Sequence, residues 1–157
     1  ICQDMCELDL NHKFDLISCV LDSTNYVTED DDLRSYLSKV YEHLTDDGLF
    51  ILDINSYYKL SKILGNNIYT YSSEDIFYTW ENAFEDDILN MFLTFFVKKD
   101  SGLYERFEEE HIERAYTENM IEKILSECGF KLIGKFDGYS SNKVNEESER
   151  ILYIAGR

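Results

Sequence analysis

The chain has 157 residues, 44% of them hydrophobic and 15% aromatic, a size that fits one domain with a real core. Its 32 acids against 15 bases give a formal net charge of −17. A surface so acidic repels phosphates, which excludes nucleic acid and anionic membrane as expected partners.

No apolar run reaches the length of a membrane span, and no signal peptide is visible. The four Cys (2, 6, 19 and 128) form no C-x-x-C, and no His lies at zinc-ligand spacing from them. No metal site is expected, and thiols of this kind suit a reducing cytoplasm.

In chain order, "CQDMCEL" (2–8) reads as a strand end running into a polar turn. "FDLISCVL" (14–21) is a short apolar run, read as a buried strand. It is followed by Asp22, Ser23, Thr24, Asn25 and Tyr26, side chains that hydrogen-bond their own backbone in turns. Residues 28–44 read as a helix with one apolar face (Leu33, Tyr36, Leu37, Val40, Tyr41, Leu44), capped by Thr28 and stopped by Gly48. "LFILDI" (49–54) is a second strand, and 56–64 a helix capped by Ser56 and closed by Gly65. Strand, helix, strand, helix predicts a parallel sheet covered on its faces.

The middle of the chain changes character. Residues 76–84, 88–99 and 103–116 are aromatic-rich extended runs joined by "EDD" and "DSG" turns, an inserted antiparallel meander over 76–116. The α/β pattern then resumes with a helix over 117–130, capped by Thr117 and stopped by Gly129. Strands 130–136 and 150–156 close the chain. His12 and His43 read as surface residues.

"LDSTNY", "DINSYYKL", "YTWEN", "EEEHIERAY" and "SERILYIA" together resemble the class I S-adenosylmethionine-dependent methyltransferases, specifically the small bacterial type with an inserted antiparallel sheet. The likeness runs from Cys2 to Arg157. It implies a Rossmann-like α/β sheet with an antiparallel closing strand, and S-adenosylmethionine as cofactor. It also implies a lid built from the meander and methyl transfer to the nitrogen or oxygen of a small molecule.

The resemblance also assigns roles. Asp4 and Met5 match the adenine-binding pair, and Cys19, Val20 and Leu21 line the methionine moiety. His111, Asp22 and Tyr26 are the catalytic candidates, with Asn25, Tyr57, Trp80 and Arg114 on the substrate. With only seven Gly and no G-x-G-x-x-G, the chain lacks the glycine-rich loop that ends the first strand of such enzymes. The expectation is therefore an N-terminally incomplete domain whose central strand is an exposed edge. Another chain, or a segment before Ile1, would cover it. The alternative is a binding or regulatory module without catalysis.

Overall fold

The structure is a computed structural model that describes all 157 residues. Eight strands form two four-stranded sheets. The first sheet has the order β1 (Phe14–Cys19), β2 (Leu44–Asn55), β8 (Arg150–Gly156), β7 (Lys131–Asp137). β1 and β2 are parallel, and β8 runs antiparallel to both its neighbours, β2 and β7. α1 (Asp30–Glu42) is the crossover from β1 to β2.

The helical faces seen in the sequence are the faces that pack. Leu33, Tyr36, Leu37 and Val40 of α1 join Ile121, Ile124 and Leu125 of α2 (Glu118–Glu127) over Phe50, Leu52, Ile54, Ile151, Tyr153 and Ala155 of the sheet. This is one 17-residue core. Both helices lie on one face, so the expectation of a sheet covered on both faces is corrected. The opposite face exposes Leu16 (56%), Leu49 (37%) and Ile133 (59%). Leu16 and Leu49 are register partners, and Leu49 and Ile133 close over Gly156 between them.

Helix ends show where local signals lose to packing. α1 begins after Glu29, which makes no capping bond, rather than at Thr28. It ends at His43, before Gly48. Gly48 lies inside β2, where a Cβ would come within 2.9 Å of the Thr45 carbonyl oxygen, so it serves a close approach and not a helix stop. His43 is buried rather than on the surface. Its Nε2 accepts from Leu10 N–H at 2.8 Å and its Nδ1 meets Lys39 O at 2.7 Å. At α2 the expectation holds: Thr117 Oγ1 accepts from Met120 N–H, and Gly129 adopts φ +98°.

Residues 2–8 hold no strand. Met5–Glu7 form a single 3-10 turn capped by Asp4, whose Oδ1 accepts from Cys6 N–H at 2.8 Å. The Asp4 cap and the polar side chains around it favour the turn over a ladder.

The second sheet is the insertion, with the order β3 (Ile68–Ser72), β4 (Ile76–Glu85), β5 (Ile88–Lys98), β6 (Tyr104–Arg114). β3 extends the expected meander by one strand. "IYTYS" is wholly exposed, so it lacks the alternation that marks a half-buried strand. A wide helical turn at Lys59–Leu64 joins the two sheets. Its Leu60 and Leu64 bury against Leu89, Met91 and Ala115, a second small core under the insertion. Trp80, Phe84 and Leu93 pack at its margin.

Candidate active site

β1 and β2 end side by side, and the chain that follows β1 turns sharply. Leu21 and Asp22 both adopt left-handed backbone, φ 59° and 54°, unfavourable for residues with a Cβ. Asp53, fully buried near the end of β2, holds that turn. Its carboxylate accepts from Leu21 N–H at 3.0 Å and from Asp22 N–H at 2.7 Å. It also accepts from the Tyr139 hydroxyl and from the Arg150 guanidinium. Burial opposes ionisation of Asp53. The Tyr139 bond, the two amides and the Arg150 charge outweigh it and hold the carboxyl below the usual aspartate value.

The turn opens into Ser23–Tyr26, a short 3-10 segment. Asn25 within it is fully buried. Its Nδ2 donates to Asn55 O at 3.1 Å and Arg114 O at 2.9 Å, and its Oδ1 accepts from Asn55 N–H at 2.9 Å. Asn25 therefore ties β2 to β6 and is inaccessible to a substrate. Asp22 is likewise occupied, receiving Arg150 at 2.6 Å. Arg114 donates to Thr28 O and to Asp30, each at 2.7 Å, and clamps the insertion to the start of α1.

Tyr26 is the residue these braces leave exposed (46%). It lines two clefts. One, about 380 Å³, is formed with Gln3, Asp4, Met5, Cys6, Val27, Thr28 and Asp32. The other, about 200 Å³, lies under the insertion with Trp80, Met91, Leu93, His111 and Glu113. The Tyr26 hydroxyl stands 3.0 Å from His111 Nδ1, and His111 Nε2 stands 3.5 Å from Glu109. The tautomer that serves both contacts carries its proton on Nε2 and accepts the Tyr26 hydroxyl at Nδ1. Burial, with the charges of Glu113 and Asp22, raises the Tyr26 phenol and keeps it a donor.

The remaining sequence candidates divide. Asp4 and Met5 line the first cleft, and Trp80 the second. Cys19 packs against the core and receives the Thr24 hydroxyl at 3.8 Å. Val20 and Leu21 form the exposed strand end without lining either cleft. Tyr57 belongs to a third cleft beside Ser56 and Tyr116, and its hydroxyl donates to Asp87 at 2.7 Å.

Five residues were missed by sequence reasoning: Asp53, Asn55, Glu113, Tyr139 and Arg150. Asp53 and Asn55 stand in "LDIN" at a strand end, the one signal that marked their position. Glu113 shares β-strand parity with His111, which placed it on the same side. Nothing local marks Tyr139 or Arg150, which reach Asp53 from 86 and 97 residues away.

No family model matches the chain. A protein of Geobacillus sp. (strain WCH70), a methyltransferase by name, is 33% identical over 160 residues, spanning 98% of this chain and 63% of that protein. YqeM of Bacillus subtilis (strain 168), also a methyltransferase by name, is 28% identical over 156 residues, with the same shares. The solved S-adenosylmethionine-dependent methyltransferase from Clostridium acetobutylicum ATCC 824 superposes with a TM-score of 0.96 at 51% identity, over 99% of this chain and 63% of that one.

The chain carries the sequence and fold likeness of the class I S-adenosylmethionine-dependent methyltransferases. It spans 63% of the length of these relatives. The same methyltransferase fold recurs at 16% identity and TM-score 0.77 in CalS10 of Micromonospora echinaspora, an amino pentose methyltransferase solved with S-adenosylmethionine bound. The match covers 99% of this chain and 63% of that one. Within this fold the order β1-β2-β8-β7 places both clefts beyond the carboxyl ends of β1 and β2, where open α/β sheets bind ligands.

Proposed function

We propose that this site transfers a methyl group from S-adenosylmethionine to a nitrogen or oxygen of a small molecule. The carrying observation is Tyr26, which walls both clefts and hydrogen-bonds His111. Ligands in two clefts that share one wall residue meet at its edge, and orientation of reacting groups supplies about 7–11 kcal/mol of barrier lowering.

The first cleft suits the adenosyl end of the cofactor. Asp4 spends Oδ1 on Cys6 N–H, and its other oxygen has no protein donor, so it can accept from an exocyclic amine. Met5 and Val27 supply apolar wall. None of the seven Gly lines this cleft, so these residues account for the adenosyl end alone. When bound, the cofactor supplies an already activated methyl on a sulfonium.

The second cleft receives the acceptor. Trp80, Met91 and Leu93 give it apolar walls, and the Tyr26 hydroxyl, which donates to His111 Nδ1, passes the acceptor's proton to that ring. The acidic surface, net −17, disfavours nucleic acid as the acceptor.

Titration calorimetry of S-adenosylmethionine against the gene product that carries this chain tests the reading, followed by turnover with a panel of small amines and alcohols. Cofactor binding with turnover lost in His111→Ala supports it. No cofactor binding overturns it.

A further inference from the structure

Glu113 lies in the second cleft and has no task in the reading above. It is 3% exposed, on β6, beside Tyr26, Trp80, Met91, Leu93 and His111. Its one protein hydrogen bond comes from Asn55 Nδ2 at 2.8 Å, while a carboxylate has room for about four.

Asp53 and Asp22 share Arg150, and Arg114 is taken by Asp30. Lys59 is held on the neutral Asn55 Oδ1 at 2.9 Å, so its charge and that of Arg150 attract Glu113 without an ion-pair contact. Of the two buried acids, Asp53 and Glu113, Glu113 alone lacks an ion-pair partner. A buried carboxylate without a cation is costly, and the apolar walls of Trp80, Met91 and Leu93 make any charge brought to it interact strongly. The rings of Trp80 and Tyr26 in the same wall also attract cations.

We propose that this cleft is an ammonium site: the methyl acceptor enters as a protonated primary or secondary amine, bound by Glu113, with its apolar body against Trp80 and Leu93. The inference rests on the methyl-transfer reading of the site and narrows its acceptor to amines. An alcohol of the same shape brings no charge and leaves Glu113 buried and unpaired. The proton that an ammonium must lose before its nitrogen becomes a nucleophile has a route in the same cleft, through the Tyr26 hydroxyl to His111 Nδ1. The anchor and the base are thus separate groups, two residues apart on one face of β6.

Trp80 is the only Trp and lies in the cleft wall, so its fluorescence reads occupancy directly. The test titrates the 157-residue chain, without cofactor, with cyclohexylamine and with cyclohexanol at about pH 7.5, where the amine is charged. The expected result is at least about tenfold tighter binding of the amine. Glu113→Gln abolishes that preference and leaves alcohol binding within about twofold. Glu110→Gln, an exposed acid on the same strand outside the cleft, keeps it.

Equal binding of the two ligands, no Trp80 response to either, or a preference that survives Glu113→Gln overturns the proposal. So does an equal loss in Glu110→Gln, which would assign the preference to the overall negative field. If Glu113→Gln fails to fold by circular dichroism, the wild-type preference is measured at about 0.1 M and about 1 M salt. Retention at high salt supports the buried site, and loss overturns it. Because no cofactor is present, a failure of methyl transfer leaves this result standing, and a failure here leaves cofactor binding untouched.

Discussion

Tyr26, His111 and Glu113 meet across 85 and more residues of sequence, and each has a separable consequence. If His111 is the proton acceptor, His111→Ala lowers kcat of the gene product by roughly 100- to 10,000-fold with little change in cofactor affinity. Steady-state kinetics beside calorimetry measures the two effects. Asp53 acts one layer below. Asp53→Asn removes the charge that Arg150 and two strained amides share, and a broken buried pair costs about 3–5 kcal/mol in urea unfolding. Retained Arg150–Asp22 pairing puts the loss at the low end of that range.

The two buried carboxyls give opposite pH slopes. The carboxyl of Asp53 is held below the usual 3.8, so it adds stability above that value, which is lost as pH falls through its folded value. Glu113 is raised above the usual 4.5, by burial first and by the Asp22 charge; Asn55, Lys59 and Arg150 pull the other way. The folded state therefore keeps the Glu113 proton longer than the unfolded chain does, and stability falls as pH rises from 4.5 through the raised value. Urea midpoints taken from about pH 3 to about pH 7 should show this fall in the wild type and not in Glu113→Gln.

At the scale of elements, the insertion is held by a few specific ties rather than by a broad core. Leu60, Leu64, Leu89, Met91 and Ala115 are the one buried apolar cluster beneath it. Leu89→Ala there should cost about 2–5 kcal/mol. It should also loosen the Trp80 wall, seen as a red-shifted and more easily quenched Trp emission. α2 offers a contrast. Thr117→Ala removes only the bond to Met120 N–H and should cost about 1 kcal/mol, with Trp80 emission unchanged.

At the scale of the whole molecule, one face of the first sheet is uncovered. β1 is an edge strand, and Leu16, Leu49 and Ile133 lie exposed on the face away from α1 and α2. We propose that a second copy or a further segment covers this face, since an exposed apolar sheet edge is a template for association. The 157-residue chain is then expected to self-associate and bind a hydrophobic dye, and Leu16→Lys with Leu49→Lys to diminish both. A monodisperse wild-type monomer in light scattering would count against it.

The sequence alone determined the elements that rest on period and on local caps. Leu33, Tyr36, Leu37 and Val40 mark α1, Thr117 and Gly129 bound α2, and the aromatic runs announce the meander. It also singled out Tyr26 and His111, through the family likeness carried by "LDSTNY" and "EEEHIERAY", and the structure brings these two together at one cleft. Only the tertiary structure decided what each polar side chain is for. Asp22, Asn25 and Arg114 looked like ligand groups and prove to be braces, because long-range partners satisfy them first. Asp53, Arg150 and Glu113 looked like ordinary charges; Asp53 and Glu113 prove to be buried and Arg150 half-buried, because the meander and the closing strands converge on one strand end. A polar side chain's role depends on whether a partner reaches it. That is a property of chain segments some 30 to 130 residues apart, and local pattern carries no record of it.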